Sequence, residues 1–169
     1  MTIESASTTP GSVDYFVSYT GVDEQWAEWI AWCLEEAGYR ILLQAWDFRP
    51  GDNLVLMMQK ASILSRRTLV VLTDSYLEAI FTQPEWAATF RLDPESKRLR
   101  LVPVRVKHCS RPGGLLDSII YIDLVDCAED EARRRLLAGL RPGRGKPMEQ
   151  PMFPGLAVSA PLGSTRRSR

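Results

Sequence analysis

The strongest constraint on this chain is the alternation of short apolar runs with segments whose apolar residues recur at helical spacing. Residues 13–19 (VDYFVSY) form a run that suits a buried strand. Val22, Trp26, Trp29, Ile30, Cys33, Leu34 and Ala37 then share one helical stripe, with Gly38 as a stop. Residues 39–45 predict a second strand, and the loop WDFRPGDN leads to a helix carrying Leu54, Met57, Met58 and Ala61. Residues 68–73 predict a third strand, followed by a helical segment over 75–92 that Pro84 interrupts or restarts. Residues 99–106 and 118–124 complete the strands, and 128–140 is the last helix.

Strands apolar on both faces and separated by helices belong in a parallel sheet covered on both sides. Right-handed crossovers then favour a flavodoxin-like, doubly wound α/β fold with five strands in the order 2-1-3-4-5. Ligands of such sheets sit at the carboxyl ends of the strands. The loops to search are therefore 20–23, 46–53, 74–84 and 107–117.

Composition removes several classes. The chain has 169 residues, 45% of them hydrophobic, enough for the core of one ordinary domain. No apolar run approaches the roughly 20 residues of a membrane span, and MTIESASTTPG is no secretory leader. Cys33, Cys109 and Cys127 cannot all pair, so free thiols in a reducing cytoplasm are expected. A single histidine, His108, argues against a zinc site, and no metal is expected. Net charge is zero, yet residues 141–169 carry six basic groups against Glu149, leaving residues 1–140 acidic. An acidic body does not fit nucleic acid as a specific ligand. Residues 1–11 and the Pro/Gly/Ser/Arg-rich 141–169 are expected to be disordered, flanking a domain over 12–140.

The loops discriminate among chemistries of this fold. Gly21 stands alone after the first strand, so the glycine fingerprint of dinucleotide-binding units is missing, and no P-loop or G-x-S-x-G elbow occurs. A phosphoacceptor role for Asp74 needs neighbouring acids that the strand ends do not offer, so Asp74 reads as a helix cap. Trp26 and Trp29 read as core, Met57 and Met58 as core filler, and Arg133 to Arg135 as a solvated face; Trp32 falls off the stripe.

Three segments carry a resemblance. DYFVSYTGVDEQWA (14–27) resembles the first box of Toll/interleukin-1 receptor (TIR) domains, AWDFRPGDNL (45–54) the second, and SYLEAIFTQPEWAATF (75–90) the third-helix region. The order and spacing are closest to the bacterial branch. The resemblance implies cleavage of the nicotinamide–ribose bond of NAD+, with Glu85 as the catalytic carboxylate and NAD as substrate rather than cofactor. The products implied are nicotinamide plus ADP-ribose or a cyclic isomer. Nicotinamide is a cationic leaving group, and a carboxylate can stabilise the oxocarbenium-like sugar it leaves behind. Ser18, Trp46, Phe48, Arg49, Asp52 and Phe81 are the substrate-binding candidates. Phe81 stands where many active members carry tryptophan, and Pro84 is a second departure. The Arg49, Pro50, Gly51 and Asp52 turn is the implied TIR–TIR contact loop. A sensor or fused activating domain, and an immune or cell-death setting in the cytoplasm, complete what the resemblance implies. Two alternatives stay open: Glu85 also fits a capping box with Thr82, and the domain also fits a non-catalytic adaptor.

Overall fold

The computed structural model describes residues 12–82, 101–110 and 120–155. Five parallel strands form one sheet in the order β2-β1-β3-β4-β5: β1 (Val13–Ser18), β2 (Ile41–Leu43), β3 (Ser65–Leu72), β4 (Leu101–Arg105) and β5 (Ile122–Asp123). The expected order is thus the observed one. The central strand β3 pairs with β1 from Val13↔Ser65 to Ser18↔Val70, and with β4 from Thr68↔Leu101 to Leu72↔Arg105.

Alternate residues of a strand face opposite sides, and the two faces divide the core. Tyr15, Val17, Leu69, Val71, Val102 and Val104 point to one side. There they meet Ile30, Cys33 and Leu34 of α1 (Glu24–Glu36) and Ala132, Leu136 and Leu140 of the last described helix, labelled α5 (Glu129–Leu140). Phe16, Ser18, Thr68 and Val70 alternate to the other side. It is covered by α3 (Leu54–Leu64) and α4 (Asp74–Thr82), which contribute buried Ala61, Tyr76 and Leu77. Gly38 ends α1 at φ 90°, a conformation costly for other residues, while the Tyr39 amide closes the turn onto the Leu34 carbonyl at 3.0 Å.

Several sequence expectations need correction. The α1 stripe is rotated: Ala27 and Ala31 are buried, Val22 is 73% exposed, Ala37 is exposed, and Trp26 and Trp29 pack at the rim of the core. Small alanines at 27 and 31 let the helix approach the sheet, which moves the bulky indoles to its flank. The second strand keeps only Ile41–Leu43, because Asp47 accepts the Leu43 amide at 2.7 Å and winds Gln44–Asp47 (α2) into a turn of helix. Ile120 is 94% exposed, so the fifth strand is shorter than expected at this sheet edge. The third begins earlier, at Ser65. Met57 and Met58 are only half-buried on α3. The parts of the third-helix region and of the 107–117 loop at 83–92 and 111–117 lie outside the described residues, as do 1–11 and 156–169.

Candidate functional site

β1, β3 and β4 end at the same edge, and the residues that follow them converge on one carboxylate. Asp23, in the turn after β1, has a side chain with no solvent exposure. Its Oδ1 accepts Lys107 Nζ at 2.7 Å, and its Oδ2 accepts the hydroxyls of Thr20 at 3.0 Å and Thr73 at 2.5 Å. Burial acts to raise the Asp23 pKa, but the Lys107 ammonium and the two hydroxyls outweigh it and hold it below the ordinary carboxylate value. The lone pairs of Thr73 Oγ1 then accept the Tyr76 amide at 3.2 Å, which caps α4.

This corrects the expected role of Asp74. Thr73 is the cap, and Asp74 opens the helix with its carboxylate accepting the Ser110 amide at 2.8 Å, tying α4 to the loop after β4. The position at the end of β3 beside Asp23 and Lys107 is a threonine, so the phosphoacceptor geometry is absent from this part of the edge.

Ser18, the last residue of β1, is 2% exposed, and its hydroxyl lies 3.0 Å from the Tyr76 hydroxyl. Burial pushes the Tyr76 phenol well above its usual pKa, against the opposing hydrogen bond from Ser18, so this pair stays neutral. Tyr19, one residue on, is pushed up to about 12 by burial and by nearby Glu24.

The loop after β2 carries the remaining candidates. Trp46 is 43% exposed and donates its indole N–H to Glu28 of α1 at 3.1 Å. Phe48 is half-buried, while Arg49, Pro50, Gly51 and Asp52 are exposed. The Asp52 amide donates to the Arg49 carbonyl at 3.0 Å, and Asp52 Oδ2 accepts the Arg49 amide at 2.9 Å. With Pro50 next and Gly51 at φ 97°, this is a type II turn braced by its own acid. Asn53 then caps α3 by accepting the Leu56 amide at 3.1 Å. Phe81 lies on α4, with its side chain outside the description, and Glu85 and Pro84 lie outside the described residues.

The site therefore gathers Ser18, Asp23, Thr73, Tyr76 and Lys107 into one connected group, with the Trp46–Asp52 loop separately held beside α1. Sequence reasoning missed Asp23, Thr73 and Lys107, although it named the loops that hold two of them. Their signal was a charged or hydroxyl residue within a few positions of the end of an apolar strand. His108 is exposed, with its Nε2 2.9 Å from Asp126. Cys33, Cys109 and Cys127 form no disulfide. Arg134 and Arg135 pair with Glu131 on a solvated face, and Arg133 ties α5 to Glu36 of α1. No helix of the described residues is long and apolar enough to cross a membrane.

Fold and edge together define a doubly wound, flavodoxin-like α/β domain whose third strand ends in Thr73, not a phosphoacceptor acid, beside Asp23 and Lys107. The chain belongs to the TIR domain family, whose model matches residues 16–137. Solved structures of similar fold include the TIR domain of the Toll-related receptor TRR-2 from Hydra magnipapillata. It is 21% identical, with TM-score 0.57, 76% of this chain covered and 94% of that one. A metazoan TIR-STING receptor from C. gigas is similar in two structures. One, in complex with 2',3'-cGAMP, gives TM-score 0.61 at 22% identity over 76% of this chain. The other gives 0.60 at 20% over 80%. The chain spans only 40% and 42% of those two receptor chains. Among curated proteins, none matches this sequence.

Proposed function

We propose that this TIR domain is an NAD+ glycohydrolase that cleaves the nicotinamide–ribose bond, with Glu85 as the carboxylate facing the sugar. The observation that carries the reading is the spacing of Ser75, Phe81 and Glu85 within a TIR domain, the first two on α4, which starts at the ligand-binding edge of the sheet. The pyridinium of NAD+ takes the bonding pair and leaves as neutral nicotinamide, so its departure needs little acid help. The work left to the protein is to hold the ribose and to stabilise positive charge as the bond breaks, which one carboxylate in a water-poor cleft can do. Trp46 and Phe48 offer flat faces for the rings, while Arg49 and Asp52 offer charge for phosphate and hydroxyl groups. Ser18 meets a ligand only if Tyr76 yields, so in this reading it acts through Tyr76.

The products are nicotinamide plus ADP-ribose where water takes the ribose carbon, or nicotinamide plus a cyclic ADP-ribose where a nucleophile of the same molecule does. The enzyme works when TIR domains self-associate in the cytoplasm under a sensor or fused activating domain, in immune or cell-death signalling. The adaptor alternative has one observation in its favour: the exposed turn of Arg49, Pro50, Gly51 and Asp52 is braced internally, independent of the rest of the edge.

The test is nicotinamide release from NAD+ by the domain clustered on a scaffold. Glu85→Gln abolishes turnover and leaves the thermal midpoint within a degree or so of the parent. No release from the clustered parent, together with a loss of about 1 kcal/mol in Glu85→Gln as for a missing cap, transfers the assignment to the adaptor.

A further inference from the structure

The start of α4 is unusually well specified. The single proton of the Thr73 hydroxyl is committed to Asp23, which leaves its lone pairs for the Tyr76 amide. Asp23 is in turn oriented by Lys107 and Thr20, and Tyr76 is held at its far end by Ser18. The first turn of α4 is thereby referenced to the ends of β1, β3 and β4 at once, and Asp74 adds the Ser110 amide.

From these contacts we infer that Asp23, Thr73 and Lys107 are positioning residues: they set where and at what rotation α4 begins, and so where its residue Phe81 is presented to the nicotinamide riboside. This rests on the glycohydrolase reading for its catalytic part and on the hydrogen bonds alone for its structural part. A helix advances about 1.5 Å per residue, so a cap slipped by one position carries α4 as far as Thr82 by that distance and a large rotation. Misplacing a substrate-positioning residue by about 1 Å costs on the order of 100-fold in rate. None of the three residues needs to touch NAD+.

The experiment compares Thr73→Val, which keeps the shape and loses the hydroxyl, with Thr73→Ser, which keeps the hydroxyl. Lys107→Met serves in place of Thr73→Val should that variant not fold. Two readouts are taken: kcat and KM for nicotinamide release by clustered protein, and amide hydrogen exchange at Tyr76 and Leu77 against amides of β3. Expected for Thr73→Val is a fall in kcat of tenfold or more with KM within twofold. Exchange at Tyr76 and Leu77 speeds at least tenfold while β3 is unchanged, and Thr73→Ser stays within threefold of the parent in both readouts. An unchanged kcat per folded molecule, or equal acceleration at α4 and β3, overturns the inference. If the clustered parent releases no nicotinamide, the glycohydrolase reading fails by itself. The exchange readout then decides alone: selective opening of α4 upholds the positioning role and uniform opening overturns it.

Discussion

Two loops leave the same edge of the sheet, and each contains an aspartate, yet they are built on opposite plans. After β1, Asp23 is buried, and besides nearby Thr20 its partners Thr73 and Lys107 come from fifty and more positions away. After β2, Asp52 is exposed and bonds a backbone amide only three residues away. The first loop is a junction whose geometry belongs to the whole domain. The second is a self-contained turn that protrudes from it. A surface that must fit partners or substrate without disturbing the core is served by the second plan. A surface that must hold a helix in fixed register is served by the first.

The contrast predicts a graded series of effects. The largest is Asp23→Ala, which strips Lys107, Thr20 and Thr73 of their common acceptor. A loss of about 2–4 kcal/mol is expected from broken buried charge contacts, measured as the shift in denaturant midpoint. A loss under about 1 kcal/mol would mean that water replaces the carboxylate and that the junction is looser than its geometry implies.

The pH dependence sharpens the same point. Because the folded Asp23 pKa is lowered from 3.8, the unfolded chain binds more protons between the two values, and stability falls as acid is added. The contribution is complete above the unfolded value and disappears as pH drops through the lower folded one. Unfolding free energies of parent and Asp23→Asn, measured downward from about pH 5, should converge in that acid window. Parallel curves would deny the carboxylate this role.

Gly51→Ala comes next. At φ 97° an added Cβ is strained even though nothing crowds it, so about 1 kcal/mol is expected, confined to the turn and visible in local exchange rather than in the β3 core. The smallest effect is Arg49→Ala, an exposed side chain whose backbone alone braces the turn. Its midpoint should stay within about 0.5 kcal/mol of the parent, while concentration-dependent self-association, followed by light scattering, weakens. A large fall in stability from Arg49→Ala would show that the second loop is not self-contained.

Much of this architecture was legible in advance, for reasons that differ between elements. β1 and β3 lie inside the sheet and are covered on both faces over Tyr15–Val17 and Leu69–Leu72, so those stretches are continuously apolar and the strands were readable within a few residues. β2 and β5 have neighbours on fewer sides, and local polar bonds, Asp47 accepting the Leu43 amide and Asp123 accepting the Val125 amide, draw the backbone out of the ladder. Their lengths were misjudged accordingly. The α1 stripe was misread because hydrophobicity alone ranks tryptophan above alanine, whereas close helix–sheet packing selects the smaller residue. The second-box turn was legible as a turn, since Pro50 and Gly51 act on their immediate neighbours, whereas the bond from the Arg49 amide to Asp52 was not.

By itself, the sequence determined the class of fold, the strand order, the stop at Gly38 and the turn at Pro50 and Gly51. Those features depend on side-chain period, on fixed or permitted φ, and on caps within a turn. The meeting of Asp23 with Thr73 and Lys107 was decided only by the tertiary structure. Nothing local distinguishes these residues from ordinary loop polars. Only when parallel strands end side by side does a buried carboxylate find the hydroxyls and the ammonium that make its burial tolerable.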